Sequence, residues 1–341
     1  QRAFLYTPGV GVTQLPTLGG NTAYATSIND LGQVVGYSDT QVPRQSNGFN
    51  GSPQAFVYSA GTMTNLGGSL GGTTSWAYDI NNSGQVVGAV YNSAAHPFAQ
   101  RAYLYGTGGS TATDLGTFGG NNGQAGAINN LGSISGMAED FNSQNQSSTY
   151  RLFTFAGGAM ANLGINPSLG IGSRGVYDMN DAGQVVGNFS VSTSFGGRIH
   201  AFLATGGVVT DLGTPIGQES RNVTPYGINA SGWVVGATTT SNGGSPLPFL
   251  YANGAMHSLN SLAAPLLSDG NTAGFTSLQY ASDINDQGQI TGYGTYLFGD
   301  GSVRTYMPYV LSISAVPEPS SLLMLAGGLI VVSLVRRRRW R

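Results

Sequence analysis

The hydrophobic pattern has a period near fifty residues and is built from short runs in which apolar and polar positions alternate. One run reads Ile-Asn-x-x-Gly-Gln-Val-Val-Gly. It occurs at Ile28–Gly36, Ile80–Gly88, Ile128–Gly136, Met179–Gly187, Ile228–Gly236 and Ile284–Gly292. Its asparagines are 52, 48, 51, 49 and 56 residues apart. A second run reads Arg-Ala-Phe-Leu-Tyr, then a glycine turn, then Asp-Leu-Gly and a Gly-Gly pair. Its copies start near Arg2, Gln54, Arg101, Arg151, His200 and Pro248, and a last half-copy lies at Met307–Ile313.

Alternation between glycine-rich breaks predicts strands. Each unit has room for four: Ala-Phe-Leu-Tyr, the segment ending Asp-Leu-Gly, the segment around Tyr78-Asp79-Ile80 in its unit, and Gln-Val-Val-Gly. Between the third and fourth, Asn-x-x-Gly predicts a tight hairpin, because asparagine can cap the turn and glycine takes the positive φ. The turn pairs are Asn29 and Gly32, Asn81 and Gly84, Asn129 and Gly132, Asn180 and Gly183, Asn229 and Gly232, and Asn285 and Gly288. A four-stranded antiparallel unit of roughly 40–50 residues is the mark of a β-propeller blade. The expected fold is therefore all-β: a β-propeller of six four-stranded blades over residues 1–314, with Ile and Val-Val positions as core between blades. Met307–Ile313 is expected to pair with the first blade and close the ring. Seven blades are the alternative count if residues precede Gln1. An open solenoid is the alternative, although its repeats are usually shorter.

At these residues the chain resembles the bacterial extracellular repeats named HAF, over about residues 1–314. The resemblance rests on His200-Ala201-Phe202, on Asp114-Leu115-Gly116-Thr117-Phe118-Gly119-Gly120, and on the six Asn-Gly hairpins. The third unit departs, with Ser133-Ile134-Ser135 in place of Gln-Val-Val. The sixth lacks Asp-Leu-Gly and carries an insertion, Asn260–Gly274. The resemblance implies no established activity.

The C-terminal tail breaks the pattern. Val316-Pro317-Glu318-Pro319 is held extended by its two prolines. The segment 321–335 that follows carries no charge, and Arg336, Arg337, Arg338, Arg339 and Arg341 follow it. Fifteen uncharged residues fall short of the ~20 that span a bilayer squarely. Counting Ser320 and letting the arginines snorkel makes a marginal span. The tail thus predicts a linker at 315–320, a transmembrane helix at 321–335 and a basic cytoplasmic tail at 336–341, with the arginines as the membrane stop and the bulk of the chain across the membrane. Here the chain resembles the PEP-CTERM family of sorting signals. That resemblance implies a Gram-negative bacterium making exopolysaccharide, and a temporary anchor cut near the motif by an exosortase-type transpeptidase. Val316, Pro317, Glu318 and Pro319 would then be recognition residues acted upon by another enzyme. A chain with this tail is expected to enter secretion through an N-terminal signal. None precedes Arg2, so the chain is expected to be mature or truncated upstream.

Composition narrows the function further. There is no cysteine, which excludes disulfides and thiolate chemistry. All 13 basic residues are arginine. Before Val316, eight arginines face fourteen acids, an acidic and charge-poor balance that argues against a nucleic-acid partner. Charged residues make up 8% of the chain and 54 residues are glycine, as in turn-rich secreted β proteins.

Candidate chemistry is sparse. His96, His200 and His257 show no spacing that a metal site needs, and no metal or cofactor is expected. Asp79, Asp178 and Asp283 recur two residues before the hairpin asparagine, and Asp114 and Asp211 recur before Leu-Gly. Such acids either converge on a channel, as a cation or sugar site, or cap turns and bond backbone amides, the commoner use. Glu139-Asp140 is expected at a solvated loop tip, and no catalytic residue is assigned. The variable segments Asp39–Ser52, Asn92–Gln100, Asp140–Thr149, Ser190–Arg198 and Thr238–Pro246 are expected to crowd one rim. Their composition suits weak polar recognition or plain tolerance of insertion. The expected function is non-enzymatic: an exported, surface-sorted repeat protein acting in the extracellular polysaccharide matrix by binding, scaffolding or adhesion. The alternatives are a polysaccharide hydrolase or lyase and a membrane-anchored glycan receptor.

Overall fold

A computed structural model describes residues 2–40, 52–67, 72–91, 93, 96–106, 111–144, 146–164, 175–193, 196–215, 221–240, 244–313 and 332–333. The chain forms two units, Gln1–Ile165 and Asn166–Arg341. The first opens with a hairpin, β1 (Phe4–Thr7) and β2 (Gly11–Gln14). Three four-stranded sheets follow. They are β3 (Gly19–Ile28) to β6 (Thr62–Asn65), β7 (Thr74–Ile80) to β10 (Ala112–Asp114), and β11 (Gly119–Ile128) to β14 (Ala159–Asn162). The second unit holds β15 (Gly175–Met179) to β18 (Val208–Asp211), β19 (Arg221–Ile228) to β22 (Ala255–Ser258), and β23 (Gly274–Ile284), β24 (Gln289–Leu297), β25 (Val303–Ser312) and β26 (Val332–Ser333). Every sheet runs antiparallel in sequence order. This is the blade of a β-propeller, six times over.

The repeat motif explains the packing. The two adjacent valines point to opposite faces, as strand geometry requires. Val86 packs back into a cluster with Val35, Ala55, Val57 and Leu66 of the preceding sheet, and Val87 packs forward with Ala125, Ile128 and Phe153 of the next. Val234 and Val235 divide in the same way. A β-bulge precedes each hairpin. In the second sheet Ala77 pairs with Gly88 and Asp79 with Val87, so Tyr78 is the extra residue. The bulge carries a carbonyl close to the motif's last glycine: a Cβ on Gly36, Gly88 or Gly292 would lie 1.9 Å from the oxygen of Tyr24, Trp76 or Tyr280. Only glycine fits there.

Two expectations need correction. The blade begins at the Ile-Asn strand, not at Arg-Ala-Phe, so β1 and β2 stand as a separate two-stranded sheet. That hairpin contributes Ala3 and Leu15 to a core with Val34 and Phe56, yet it is half a blade wide. Ile28 stays 51% exposed, whereas Ile80 and Ile128 are 5% and 4% exposed. Second, Met307–Ile313 falls largely in β25, which pairs with β24 inside the sixth sheet and not with the first blade. Most of the segment expected to form a transmembrane helix, 321–335, lies outside the described residues. Its two described members, Val332 and Ser333, form a strand against Leu311 and Val310. No Asp-Leu-Gly segment follows the half-copy Met307–Ile313 in the sequence, and a bare sheet edge accepts an extended segment. Among the described residues no helix is long and apolar enough to cross a membrane.

The insertion of the sixth unit forms a one-turn helix, α1 (Leu259–Leu262), and a 3-10 turn, Ala264–Leu266. Leu259 and Ala263 close over the core of the last two sheets. The Asn260 side chain exchanges two hydrogen bonds with the backbone of Leu278, replacing a strand partner.

Candidate functional site

Asparagine dominates the turn end of each blade. Asn29 Oδ1 accepts from the amides of Leu31 and Gln33, closing the turn. Its Nδ2 donates to Gln33 Oε1 at 2.7 Å and to the carbonyl of Asn81, in the next blade, at 3.0 Å. Asn81 repeats this toward Asn129, Asn180 toward Asn229, and Asn229 toward Asn285. Both donors and both acceptor positions of the amide are thereby used in Asn29 and Asn81. Gly32, Gly84, Gly132, Gly183, Gly232 and Gly288 have φ between +71° and +78°, the left-handed conformation the turn needs. The repeated Asn-Gly pairs thus form the staple between neighbouring blades.

The repeated acids are engaged in the same framework. Asp79 accepts from its neighbour's amide at Ile80, from Ser27 Oγ in the blade before and from the amide of Ile128 in the blade after. Asp178 accepts from the amides of Met179 and Ile228. Burial raises the Asp79 carboxyl above its ordinary value, with the hydrogen bonds from Ile128, Ser27 and Ile80 opposing. The residue at this position alternates along the chain: Ser27, Asp79, Ala127, Asp178, Gly227, Asp283. A Cβ on Gly227 would lie 2.7 Å from Asp283 Oδ1 and 3.1 Å from its Cα, so the small residue makes room for its neighbour's acid. Among the described residues no three His, Cys, Asp or Glu side chains gather as metal ligands.

The acids before Leu-Gly bind a basic residue or histidine of the preceding strand. Asp114 takes a two-pronged contact from Arg101, at 3.0 and 3.1 Å, and lies 3.1 Å from His96 Nε2. Asp211 lies 2.8 Å from His200 Nδ1. Each also accepts from the glycine amide two residues on. Glu139 and Asp140 sit within β12 (Ile134–Asn142), not at a solvated tip. Asp140 pairs with Arg151, and Glu139 accepts from the amides of Asn121 and Asn122. The Ser148 hydroxyl first, and then those amides, hold the Glu139 carboxyl below the usual range.

One set of residues was not singled out from the sequence. Tyr177 and Tyr226 are the extra residues of their bulges, and they meet edge to face with ring centres 5.7 Å apart. Tyr226 lies 6.3 Å from Tyr280, Tyr280 stacks on Tyr293 at 4.6 Å, and Tyr293 lies 5.5 Å from Tyr306. The run crosses three sheets of the second unit. Burial, and then the phenols of Tyr177, Tyr280 and Tyr293, push the Tyr226 hydroxyl above the ordinary range. In the first unit Tyr24 stacks on Tyr37 at 5.0 Å, and burial followed by Tyr37 raises the bulge residue Tyr78 to about 12. The available signal was a tyrosine three residues before the hairpin asparagine in three units.

The sorting residues Val316, Pro317, Glu318 and Pro319 and the arginines Arg336, Arg337, Arg338 and Arg339 lie outside the described residues.

Residues 315–339 match the family model described as PEP-CTERM protein-sorting motif, and residues 62–175 match one described as a protein of unknown function, DUF3466. No curated protein matches the chain. Among solved structures, an acylaminoacyl peptidase of Pyrococcus horikoshii is similar at 11% identity and a TM-score of 0.46, covering 84% of this chain and 46% of its own. Dipeptidyl peptidase 4 of Porphyromonas gingivalis is similar at 10% identity and a TM-score of 0.44, covering 92% and 55%. The β-propeller domain of the Trilobed protease from Pyrococcus furiosus is 7% identical with a TM-score of 0.37, covering 86% and 94%. The chain spans about half the length of the first two. The tail carries the recognition signal of exosortase-type sorting enzymes, which marks an exported protein sorted at a membrane.

Proposed function

We propose that this protein works outside the cell, in the extracellular polysaccharide matrix, as a non-enzymatic binder, scaffold or adhesin built from HAF-type repeats. The observation that carries the reading is the sorting motif at residues 315–339, which matches a destination to a charge-poor, polar, aromatic repeat surface. The engagement of Asp79 and Asp178 by backbone amides supports it, because those acids serve the framework. Before processing, residues 321–335 cross the inner membrane as a helix with Arg336–Arg339 as the stop. A bilayer core requires internally satisfied backbone, which a two-residue strand cannot supply. An exosortase-type enzyme then cuts near Pro317-Glu318-Pro319, and the repeats pass to the surface of a Gram-negative cell.

The test is the intact mass of the protein recovered from its producing cells, together with its effect on their polysaccharide. A mass ending between Val316 and Pro319, and co-sedimentation with unbroken polysaccharide, is the expected result. A mass that includes Arg341 would replace the matrix role with that of an anchored receptor. New reducing ends or unsaturated sugars in the polysaccharide would make the protein a hydrolase or a lyase.

A further inference from the structure

We propose that the tyrosine run of the second unit, Tyr177–Tyr226–Tyr280–Tyr293–Tyr306, is a stacking platform for an uncharged polysaccharide strand. The proposal rests on the reading above and names the site where that binding occurs.

Five rings stand in unbroken succession, with centre-to-centre steps of 5.7, 6.3, 4.6 and 5.5 Å. They are distinct from the core aromatics of the sixth sheet, where Phe275 and Tyr309 are 4% and 2% exposed. Both ends of the run reach solvent: Tyr177 is 37% exposed and Tyr306 is 71% exposed. The backbone is shaped to present them. A bulge turns its extra residue away from the regular strand alternation, and Tyr177 and Tyr226 occupy that position. Tyr306 sits within β25 at φ 59°, a conformation that disfavours any residue with a side chain, and a ladder irregularity opposite Gly294 and Tyr296 accommodates it. Strain of this kind gathers where a side chain must be held for a ligand.

The chemistry selects the occupant. Burial and neighbouring phenols push the hydroxyls of Tyr226 and Tyr293 upward, so they remain neutral donors at any ordinary pH. A run of neutral rings edged with hydroxyls complements a ligand that has flat apolar faces, many hydroxyls and no charge. A chain of pyranose rings has that character. An anionic polymer would find no cation among these five side chains.

The test uses the protein recovered from its producing cells, with cellohexaose, laminarihexaose and maltohexaose as uncharged probes. Polygalacturonate serves as an anionic probe and a proline-rich peptide as a non-sugar one. Binding is read by calorimetry and by tyrosine fluorescence. We expect at least one uncharged hexasaccharide to bind. Tyr293→Ala and Tyr306→Gly should each weaken it roughly tenfold, the scale of one aromatic contact. Tyr306→Gly relieves the φ strain, so its melting temperature should not fall and misfolding cannot explain the loss. Tyr6→Ala, an exposed tyrosine of the first unit, should bind as the unaltered protein does. Equal binding by all variants would overturn this site while leaving the matrix role intact. Binding of polygalacturonate or the peptide alone would overturn the uncharged-ligand assignment. No binding to any of these sugars or to the cells' own polysaccharide would overturn the site and the matrix reading together.

Discussion

The side-chain amide of Asn29 donates to the backbone carbonyl of Asn81, 52 residues later, at 3.0 Å. Asn81 makes the same bond to Asn129 at 3.1 Å. Neighbouring blades are therefore joined through the very residue that closes each turn. Replacing Asn81 by Asp keeps its shape and its acceptor bonds to Ser83 and Gln85 but removes both donors. The carbonyl of Asn129 and Gln85 Oε1 would lose those bonds beside a new charge at a site 3% exposed. We expect Asn81→Asp to cost about 2–4 kcal/mol, and Asn81→Ser less, in denaturant titrations.

Gly227 gives a purely steric test. A methyl group there would press on the backbone of Asp283 and on the amide of Ile284, at 3.1 and 3.2 Å, which cannot rotate away. Gly227→Ala should cost roughly 1–3 kcal/mol, the range of an overpacked core. Asp283→Ala removes only the 2.7 Å contact with Oδ1 and leaves both backbone contacts, so Gly227→Ala combined with Asp283→Ala should recover only part of the cost, measured as a double-mutant cycle.

Asp79 makes stability depend on pH. Burial raises its carboxyl above the unfolded value, so the folded state favours the protonated form. Its contribution is complete below the unfolded aspartate pKa and is lost as pH rises through the raised folded value. Denaturant titrations of the protein and of Asp79→Asn should show the original losing ground to the variant as pH climbs from about 4 toward neutrality. A difference that stays flat with pH would mean that the three hydrogen bonds at Asp79 cancel the effect of burial.

The two Asp-Leu-Gly acids should respond unequally. Arg101 has a side chain only 9% exposed and holds Asp114 with two contacts, whereas the Asp211 side chain is 43% exposed. Asp114→Asn strands a buried cation and should cost about 2–4 kcal/mol. Asp211→Asn should cost under about 1 kcal/mol, since its partner pair lies near solvent. Thermal unfolding of the two variants side by side checks the difference.

Much of this framework was legible from residues alone. Glycine at the turn, adjacent valines and the alternating Ala-Phe-Leu-Tyr run each obey a local rule, so strands and hairpins could be read from them. The phase of the blade could not be read. A series of like strands has no local marker for the first member of a sheet, and only pairing shows that β1 and β2 fall outside the first full sheet. The use of Asp79 was equally hidden, because its donors at Ser27 and Ile128 come from other blades. The tyrosine run escaped notice for a related reason. Tyr177 and Tyr226 share a register, but Tyr280, Tyr293 and Tyr306 join them only through the folded sheets.

The alternation of Ser27, Asp79, Ala127, Asp178, Gly227 and Asp283 has a bearing on how such a chain can change in length. An acid blade needs a small-residue blade beside it, and a small-residue blade beside another would leave a gap where a carboxylate should sit. Deleting or duplicating one blade puts two like members together, whereas deleting or duplicating two keeps the alternation. A pair of blades, one acid and one small, is therefore the smallest segment that can be added or removed without breaking that alternation.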